Sequence, residues 1–373
     1  MIILKEISTK KEIKQFVKFP FKLYKNNPYW VPPLIKDEVD SFDKTKNPVF
    51  EHADARFYLA YKNNEIVGRI AAIINSFEVN EQNIRKMRFG WMDMIDDIEV
   101  SKALLSKIEE IGKENKLDFI EGPVGFSNLD KVGVLTEGFE ERGTMITWYN
   151  HPYYKGHLEE LGYRKEKKYL ESYFFMKDID ITNYERLAKI VAKRNELKPL
   201  NFTSSKQIMP YVDEMFELFS TTYSKLASFV PISDRQIAYF KEKFIGLIDP
   251  EFIKFVVDKE GKMVSFSITL PSFAEALQKS QGKLFPFGFL HFLNAKKNPK
   301  ESVFYLIGIK PEYQKKGVTA IIFDEFYKTN LKKGIIKNIQ TPELEENEDI
   351  QLIWKNFNPT IHKRRCTYRK EIG

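Results

Sequence analysis

The residues best suited to chemistry lie in one segment, Tyr305 to Ala320, which reads as an apolar strand, a short loop and a helix start. Peptide N–H groups at a helix N-terminus lack intrahelical partners and carry the positive end of the helix dipole, so they bind phosphate groups well. Gly317 lets a phosphate approach the backbone because it has no Cβ. Lys315 and Lys316 add positive charge. The segment predicts a pyrophosphate-binding loop, with a plain strand-to-helix turn as the alternative.

This loop resembles the acyl-CoA loop of the GCN5-related N-acetyltransferase (GNAT) superfamily. The superfamily pattern is Val/Ile-x-Pro, then Gln/Arg-x-x-Gly-x-Gly/Ala after a short gap. Here Ile309-x-Pro311 and Gln314-x-x-Gly317 match, whereas Thr319 departs from the usual Gly or Ala. The resemblance implies acetyl-CoA or another acyl-CoA as a substrate. The residues that it places at the cofactor are Ile307, Ile309, Gln314, Lys315, Lys316, Gly317, Val318, Thr319, Ala320 and Asn347.

Asn347 opens a second segment with two interpretations. It precedes a predicted helix with an apolar face that ends at Phe357. In the superfamily, an Asn at this point contacts the pantetheine or the phosphates of the cofactor. An Asn at a helix start is also a common N-cap. Both interpretations stay open at this stage.

The general acid and base have no assignment from the sequence. Acyl transfer to an amine needs a proton acceptor for the amine and a proton for the leaving thiolate. Many GNATs use a carboxylate on the strand before the loop and a tyrosine on the later helix, and neither is present here. Tyr305, Tyr313 and Tyr368 could reach a cleft, but tyrosines on strands are more often packing residues. The five histidines and the single Cys366 lack metal-ligand spacing, so we expect no metal.

The elements around the loop form an order that occurs twice. The hairpin at residues 57–68 aligns with the hairpin at 254–265, and each is followed by strand, helix, strand, helix and strand. With the resemblance, this order predicts an α+β fold of two tandem GNAT-like domains, each a mixed, mostly antiparallel sheet flanked by helices. We place the domains at residues 1–180 and 181–373.

The first domain is predicted to have lost cofactor binding. Its equivalent strand-to-helix junction, residues 92–99, has no glycine. Four carboxylates there would repel a pyrophosphate, although they suit a helix N-terminus. They are Asp93, Asp96, Asp97 and Glu99. The first domain would then hold the acceptor or brace the second domain.

Composition and charge limit the cellular compartments and the classes of partner that we expect. The net charge of +7 is small for 373 residues. One cysteine excludes an internal disulfide and fits a reducing compartment. No signal peptide and no apolar run of roughly 18 residues is present, so we expect a cytoplasmic protein with no membrane partner. The basic cluster at residues 362–370 is interpreted as a solvated final strand rather than a phosphate site. Without an RNA-reading signature, nucleic acid is an unlikely partner.

These observations predict an N-acyltransferase that moves an acetyl or other acyl group from CoA to an unidentified amine. One alternative is a non-catalytic GNAT-like CoA-binding protein. Another is an aminoacyl-type acyltransferase with a tRNA or peptide donor. The Phe-rich stretch from Pro271 to Pro299 would shape an acyl or acceptor pocket, or pack between the halves. Oligomeric state has no signal in the sequence.

Overall fold

A computed structural model describes residues 1–127, 129–226, 229–242 and 248–373. Within these ranges, the strands form one continuous mixed sheet with helices on its faces. The strands are β1 Ile3–Ile7, β2 Ala53–Lys62, β3 Glu65–Asn75, β4 Lys86–Met94, β5 Phe119–Gly122, β6 Val134–Glu137, β7 Arg164–Phe175, β8 Lys198–Leu200, β9 Ile253–Val257, β10 Met263–Pro271, β11 Glu301–Ile309, β12 Lys337–Gln340, β13 Glu343–Leu344 and β14 Thr360–Glu371.

The α-helices cover both faces of the sheet. They are α1 Lys10–Leu23, α2 Ile35–Ser41, α3 Ser76–Asn80, α4 Ile98–Glu114, α5 Tyr153–Glu160, α6 Thr182–Arg194, α7 Ser205–Ile208, α8 Val212–Tyr223, α9 Asp234–Phe240, α10 Ala274–Ser280, α11 Gly288–Lys297, α12 Val318–Lys333 and α13 Glu348–Lys355. The α+β class and the paired hairpins β2–β3 and β9–β10 confirm the fold expected from the sequence.

The two halves of the sheet repeat one topology. In each half, an antiparallel run leads to a strand that pairs in parallel with the next: β4 with β5, and β11 with β12. Each parallel pair is joined by a long helix, α4 or α12, which crosses one face. A crossover between parallel strands needs a connecting element, usually a helix, and both helices bury apolar side chains against the sheet.

The closing strands of the two halves are exchanged. The last strand, β14, pairs antiparallel with β5 of the first half, whereas β7 pairs with β12 of the second half. β7 and β14 also pair with each other along most of their length. The two halves therefore share one sheet. The division into domains at residues 1–180 and 181–373 stays a prediction.

The basic cluster of β14 is not a solvated strand, and that interpretation was wrong for two of its members. The side chains of Lys363 and Arg365 are each only 1% exposed. Arg365 donates to Glu171 of β7, and Lys363 Nζ lies 3.8 Å from the same carboxylate. Burial by itself would raise the pKa of Glu171, but the two cations lower it. The charges bind the exchanged strands together, since a buried charge needs a buried counter-charge.

Candidate active site

The parallel strands β11 and β12 separate halfway along β11. Their pairing covers Glu301–Phe304 against Lys337–Gln340 and then stops. Beyond it, β11 continues to Ile309 and is held by β10 alone, with a bulge next to Tyr305. An opening between two parallel strands leaves one strand edge without a partner strand, so its peptide groups are available to a ligand apart from Tyr305 O and Ile307 O, which accept from the Thr341 and Tyr223 hydroxyls.

A cavity of about 870 Å³ fills this opening. Its floor is the free edge of β11, one end is the N-terminus of α12, and one side is α13. The remaining lining comes from the end of α8 and the residues that follow it, and from the first half through the loop after β5 that includes Leu129, Asp130 and Lys131. The site is thus built at the junction of the two halves, a usual location for ligand pockets.

The N-terminus of α12 opens into the cavity without a side-chain cap. Gly317 is the N-cap residue with φ +80°, and Lys315 before it also has a positive φ of +65°. The first helical turn closes when Ala320 N donates to Gly317 O at 2.9 Å. Gly317, Val318 and Thr319 precede that bond, and they line the cavity. Orphan N–H groups with a local positive potential are the arrangement that binds a pyrophosphate.

Most of the predicted cofactor residues converge on the cavity. The eight that line it are Ile307, Ile309, Gln314, Lys315, Gly317, Val318, Thr319 and Asn347. Two lie elsewhere. Lys316 is exposed and its Nζ stands 4.8 Å from the centre of the Tyr313 ring, while Ala320 is buried in the core beneath α12.

Asn347 has both of its expected features. Its side chain accepts a hydrogen bond of 3.4 Å from Ile350 N and caps α13. It also lies on the cavity wall. The side-chain amide of a capping residue that faces a cavity can also form a hydrogen bond with a ligand. The cofactor role of Asn347 therefore stays a prediction.

Glu343 is a candidate functional residue that the sequence interpretation missed. It lines the cavity from β13, a two-residue strand that pairs with β7 at Leu170. Trp354 Nε1 of α13 donates to Glu343 Oε1 at 2.6 Å. Burial raises the pKa of Glu343 to about 8, although the Trp354 hydrogen bond lowers it in part. A carboxyl group whose pKa lies near the working pH is suited to accept a proton.

Two buried phenols frame the same cavity. Tyr223 donates to Ile307 O at 3.1 Å, and Tyr305 donates to Leu129 O at 2.9 Å. Burial raises the pKa of both tyrosines, so both stay protonated and act as donors. Tyr305 thereby ties the β11 edge to the loop of the first half. Of the other two tyrosines named from the sequence, Tyr313 lines the cavity and Tyr368 is buried in the core of the first half.

The first half contributes two cations to the cavity wall, Arg88, which pairs with Glu78, and Lys131. Burial lowers the pKa of Lys131, and Lys131 forms no ion pair with any of the described residues. Its neighbour Asp130 accepts from the backbone N–H and the hydroxyl of Ser127. A desolvated ammonium in a ligand cavity binds an anion or polarises a carbonyl group.

The equivalent opening in the first half is closed. β4 and β5 also separate after three residue pairs, but the cavity there is only about 20 Å³. Val124 and Trp148 occupy the space over Gly90. The N-terminus of α4 is capped by Asp97, which accepts from Glu99 N at 3.0 Å and pairs with Lys62 at 2.7 Å.

Among the residues that the structure describes, no group of three or more His, Cys, Asp or Glu side chains is arranged to hold a metal ion. None of the helices in the described part of the chain is long and apolar enough to cross a membrane.

Comparisons with known proteins agree with this geometry. No family model matches the chain. It is 26% identical to Protein YghO of Escherichia coli over 99% of this chain and 95% of that protein. It is 25% identical to the bacterial ceramide synthase of Caulobacter vibrioides over 83% of this chain and 80% of that one. Among solved structures, a tandem GNAT protein from the clavulanic acid biosynthesis pathway superposes with a TM-score of 0.61 at 9% identity, covering 100% of this chain and 99% of that chain. The chain therefore has the tandem fold of the GCN5-related N-acetyltransferases.

Proposed function

We propose that this protein is an N-acyltransferase that takes its acyl group from acyl-CoA. The observation that carries the proposal is one cavity with an uncapped helix N-terminus at one end and a carboxyl group of raised pKa inside it. The fold of the solved neighbour supports the general class of cofactor and of reaction.

The chemistry follows from the order of groups along the cavity. The pyrophosphate of the donor binds at Gly317, Val318 and Thr319, where N–H groups and the dipole of α12 favour negative charge. The pantetheine arm then lies along the open edge of β11, where its amide groups take the place of the missing partner strand. Orientation along this edge brings the thioester into the interior of the cavity.

Glu343 is the proposed proton acceptor. The amine nitrogen attacks the thioester carbonyl, a C–N bond forms, the C–S bond breaks, and the amine proton passes to the Glu343 carboxylate. The thiolate leaves and takes a proton from solvent or from the protonated Glu343. Lys131 is placed to stabilise negative charge that develops on the carbonyl oxygen or on the acceptor. A catalytic carboxyl group favours an enzyme over a non-catalytic CoA-binding protein.

The name of one relative suggests the first acceptor to test. A ceramide is the N-acyl derivative of a sphingoid base, and the Caulobacter relative is named a ceramide synthase. A long-chain amino alcohol such as sphinganine, with a fatty acyl-CoA donor, therefore heads the screen. The cavity volume of about 870 Å³ accepts groups larger than an acetyl-pantetheine.

Calorimetric titration with CoA, acetyl-CoA and palmitoyl-CoA tests the donor site. We expect wild-type binding to fall by about 100-fold in Gly317→Glu, the loss of roughly two hydrogen bonds to charged phosphate at about 1.5 kcal/mol each. Gly261→Glu is the matched control, because Gly261 has the same φ of +80° in a hairpin turn with open space around it. Equal loss in both variants would count against the loop assignment.

Release of free thiol in the presence of an amine panel tests the transfer itself. We expect release from acyl-CoA to depend on one class of amine. Tight CoA binding without amine-dependent release would replace the enzyme with a CoA-binding protein.

A further inference from the structure

An exposed apolar surface lies outside the cavity lining, in the insertion between β10 and β11. The aromatic patch consists of side chains at the start of α11 and in the turn before it: Phe285, Phe287, Phe289, Leu290 and Leu293, which are 79%, 70%, 39%, 50% and 58% exposed. Large contiguous apolar surfaces on a protein mark an interaction site. None of these side chains lines the cavity, so they do not form the acyl pocket.

The insertion is fixed to the first half and presents the patch outward. Gln278 of α10 donates to Pro28 O at 2.8 Å and to Trp30 O at 2.9 Å. Phe292 points inward and packs against Phe273, with ring centroids 5.7 Å apart. The inward face of the insertion is therefore covered by the rest of the protein. The outward aromatic side chains remain exposed and can contact a partner.

Among the residues described, the chain on both sides of the patch carries unpaired charge of one sign. Residues 276–300 contain no Asp or Glu and five lysines: Lys279, Lys283, Lys296, Lys297 and Lys300. The acidic residues at either end are neutralised, since Glu275 pairs with Lys279 at 2.5 Å and Glu301 pairs with Arg142 at 2.6 Å. Within the described ranges, Lys283, Lys297 and Lys300 form no ion pair.

We propose that the aromatic patch inserts into the surface of a bilayer that contains anionic phospholipid. Phe and Leu side chains enter the boundary between headgroups and acyl chains, while neighbouring lysines bind lipid phosphates. A second copy of this chain fits the patch less well, because face-to-face pairing would bring the two sets of lysines together. The proposal departs from our expectation of no membrane partner, which concerned spanning segments and not surface association.

Vesicle flotation of the full chain tests the proposal. The probes are phosphatidylcholine vesicles with about one-quarter phosphatidylglycerol, and vesicles of phosphatidylcholine alone. We expect binding to the anionic vesicles that falls at least about tenfold in Phe285→Ser/Phe287→Ser, because two exposed phenyl groups no longer enter the bilayer. Leu331→Ser/Ile336→Ser is the matched control, since both side chains are more than half exposed elsewhere.

The charge contribution has its own variant. Lys283→Glu/Lys297→Glu should lower binding to the anionic vesicles by at least about tenfold, because two lysines that attract lipid phosphates become carboxylates that repel them. Binding to phosphatidylcholine alone should be much weaker than to the anionic vesicles. Absence of wild-type flotation, equal flotation of the Phe variant, or a dimer in light scattering that the Phe variant abolishes would each overturn the proposal. These readouts need no catalysis, so they stand apart from the proposed acyl transfer.

Discussion

The two strand-to-helix junctions of this molecule share one backbone plan and differ in what occupies the helix N-terminus. At α4, the Asp97 side chain satisfies the first N–H groups, and the adjacent cavity is about 20 Å³. At α12, Gly317 supplies no side chain, and the cavity is about 870 Å³. The cap residue and the size of the adjacent cavity together decide whether the helix dipole is used inside the protein or offered to a ligand.

The comparison also gives the closed half a structural role. The closed half still supplies Lys131, Leu129 and the strand partner of β14 to the open half. A half that has no donor site can therefore remain necessary as the wall and the brace of the other. The following predictions test this division of roles.

Loss of the proton acceptor should give the largest effect. Glu343→Gln keeps the size of the side chain and the hydrogen bond from Trp354 but cannot take a proton. We expect kcat to fall by between about 100-fold and about 10⁴-fold with CoA affinity retained. Glu345→Gln is the control, since Glu345 pairs with Arg364 at 2.8 Å and does not line the cavity.

The pH profile separates a proton acceptor from a structural carboxyl group. Because burial raises the pKa of Glu343 to about 8, the carboxylate forms as the pH rises through that value, and the wild-type rate should rise with it. Trp354→Phe removes a hydrogen bond that lowers this pKa, so the rising limb should move to higher pH. An unchanged limb in both Glu343→Gln and Trp354→Phe would contradict the assignment.

Breaking the link between the exchanged strands should unfold both halves together. Glu171→Gln leaves Arg365 and Lys363 buried without their counter-charge, so we expect the free energy of unfolding to fall by about 3–5 kcal/mol. Glu166→Gln on the same strand is the matched control, because Glu166 forms a partly exposed pair with Arg369 worth at most about 1 kcal/mol. Separate transitions for the two halves in denaturant would show that the shared sheet does not couple them.

The sequence predicts local features of this site and misses those that depend on the strand exchange. The loop residues from Ile309 to Thr319 are contiguous in the chain, so their spacing predicts a ligand-binding loop. In the structure most of them line the cavity. Glu343 gives no such signal, because its place in the cavity depends on pairing with Leu170 in the other half of the chain. Its sequence signal is weak: a carboxylate between Pro342 and the Asn347 cap.

The burial of Lys363 and Arg365 escaped prediction for the same reason. Four consecutive basic or histidine residues are typical of a solvated strand when the partner strand is unknown. Glu171, whose carboxylate pairs with the buried cations, lies nearly two hundred residues earlier. In the sequence it is one carboxylate among several charged residues. Long-range pairing between charges on exchanged strands has no local periodicity from which to infer it.

The smallest effect is expected at the closed junction itself. Asp97→Ala removes the N-cap of α4 and should lower the free energy of unfolding by about 1 kcal/mol, whereas Asp97→Asn keeps a cap and should stay near wild type. The hydrogen bond from Lys62 holds the pKa of Asp97 below its usual range. The stabilisation is thus present at neutral pH and disappears as the pH falls through that lowered pKa, so the gap between wild type and Asp97→Ala should shrink in acid.

The same variant sharpens the comparison between the junctions. Opening the α4 N-terminus frees its N–H groups but leaves Val124 and Trp148 in place over Gly90. We therefore expect Asp97→Ala to bind no additional CoA by calorimetry, with a single site per chain as in wild type. A second CoA site in this variant would mean that the carboxylate alone, and not the filled cavity, keeps the first half empty.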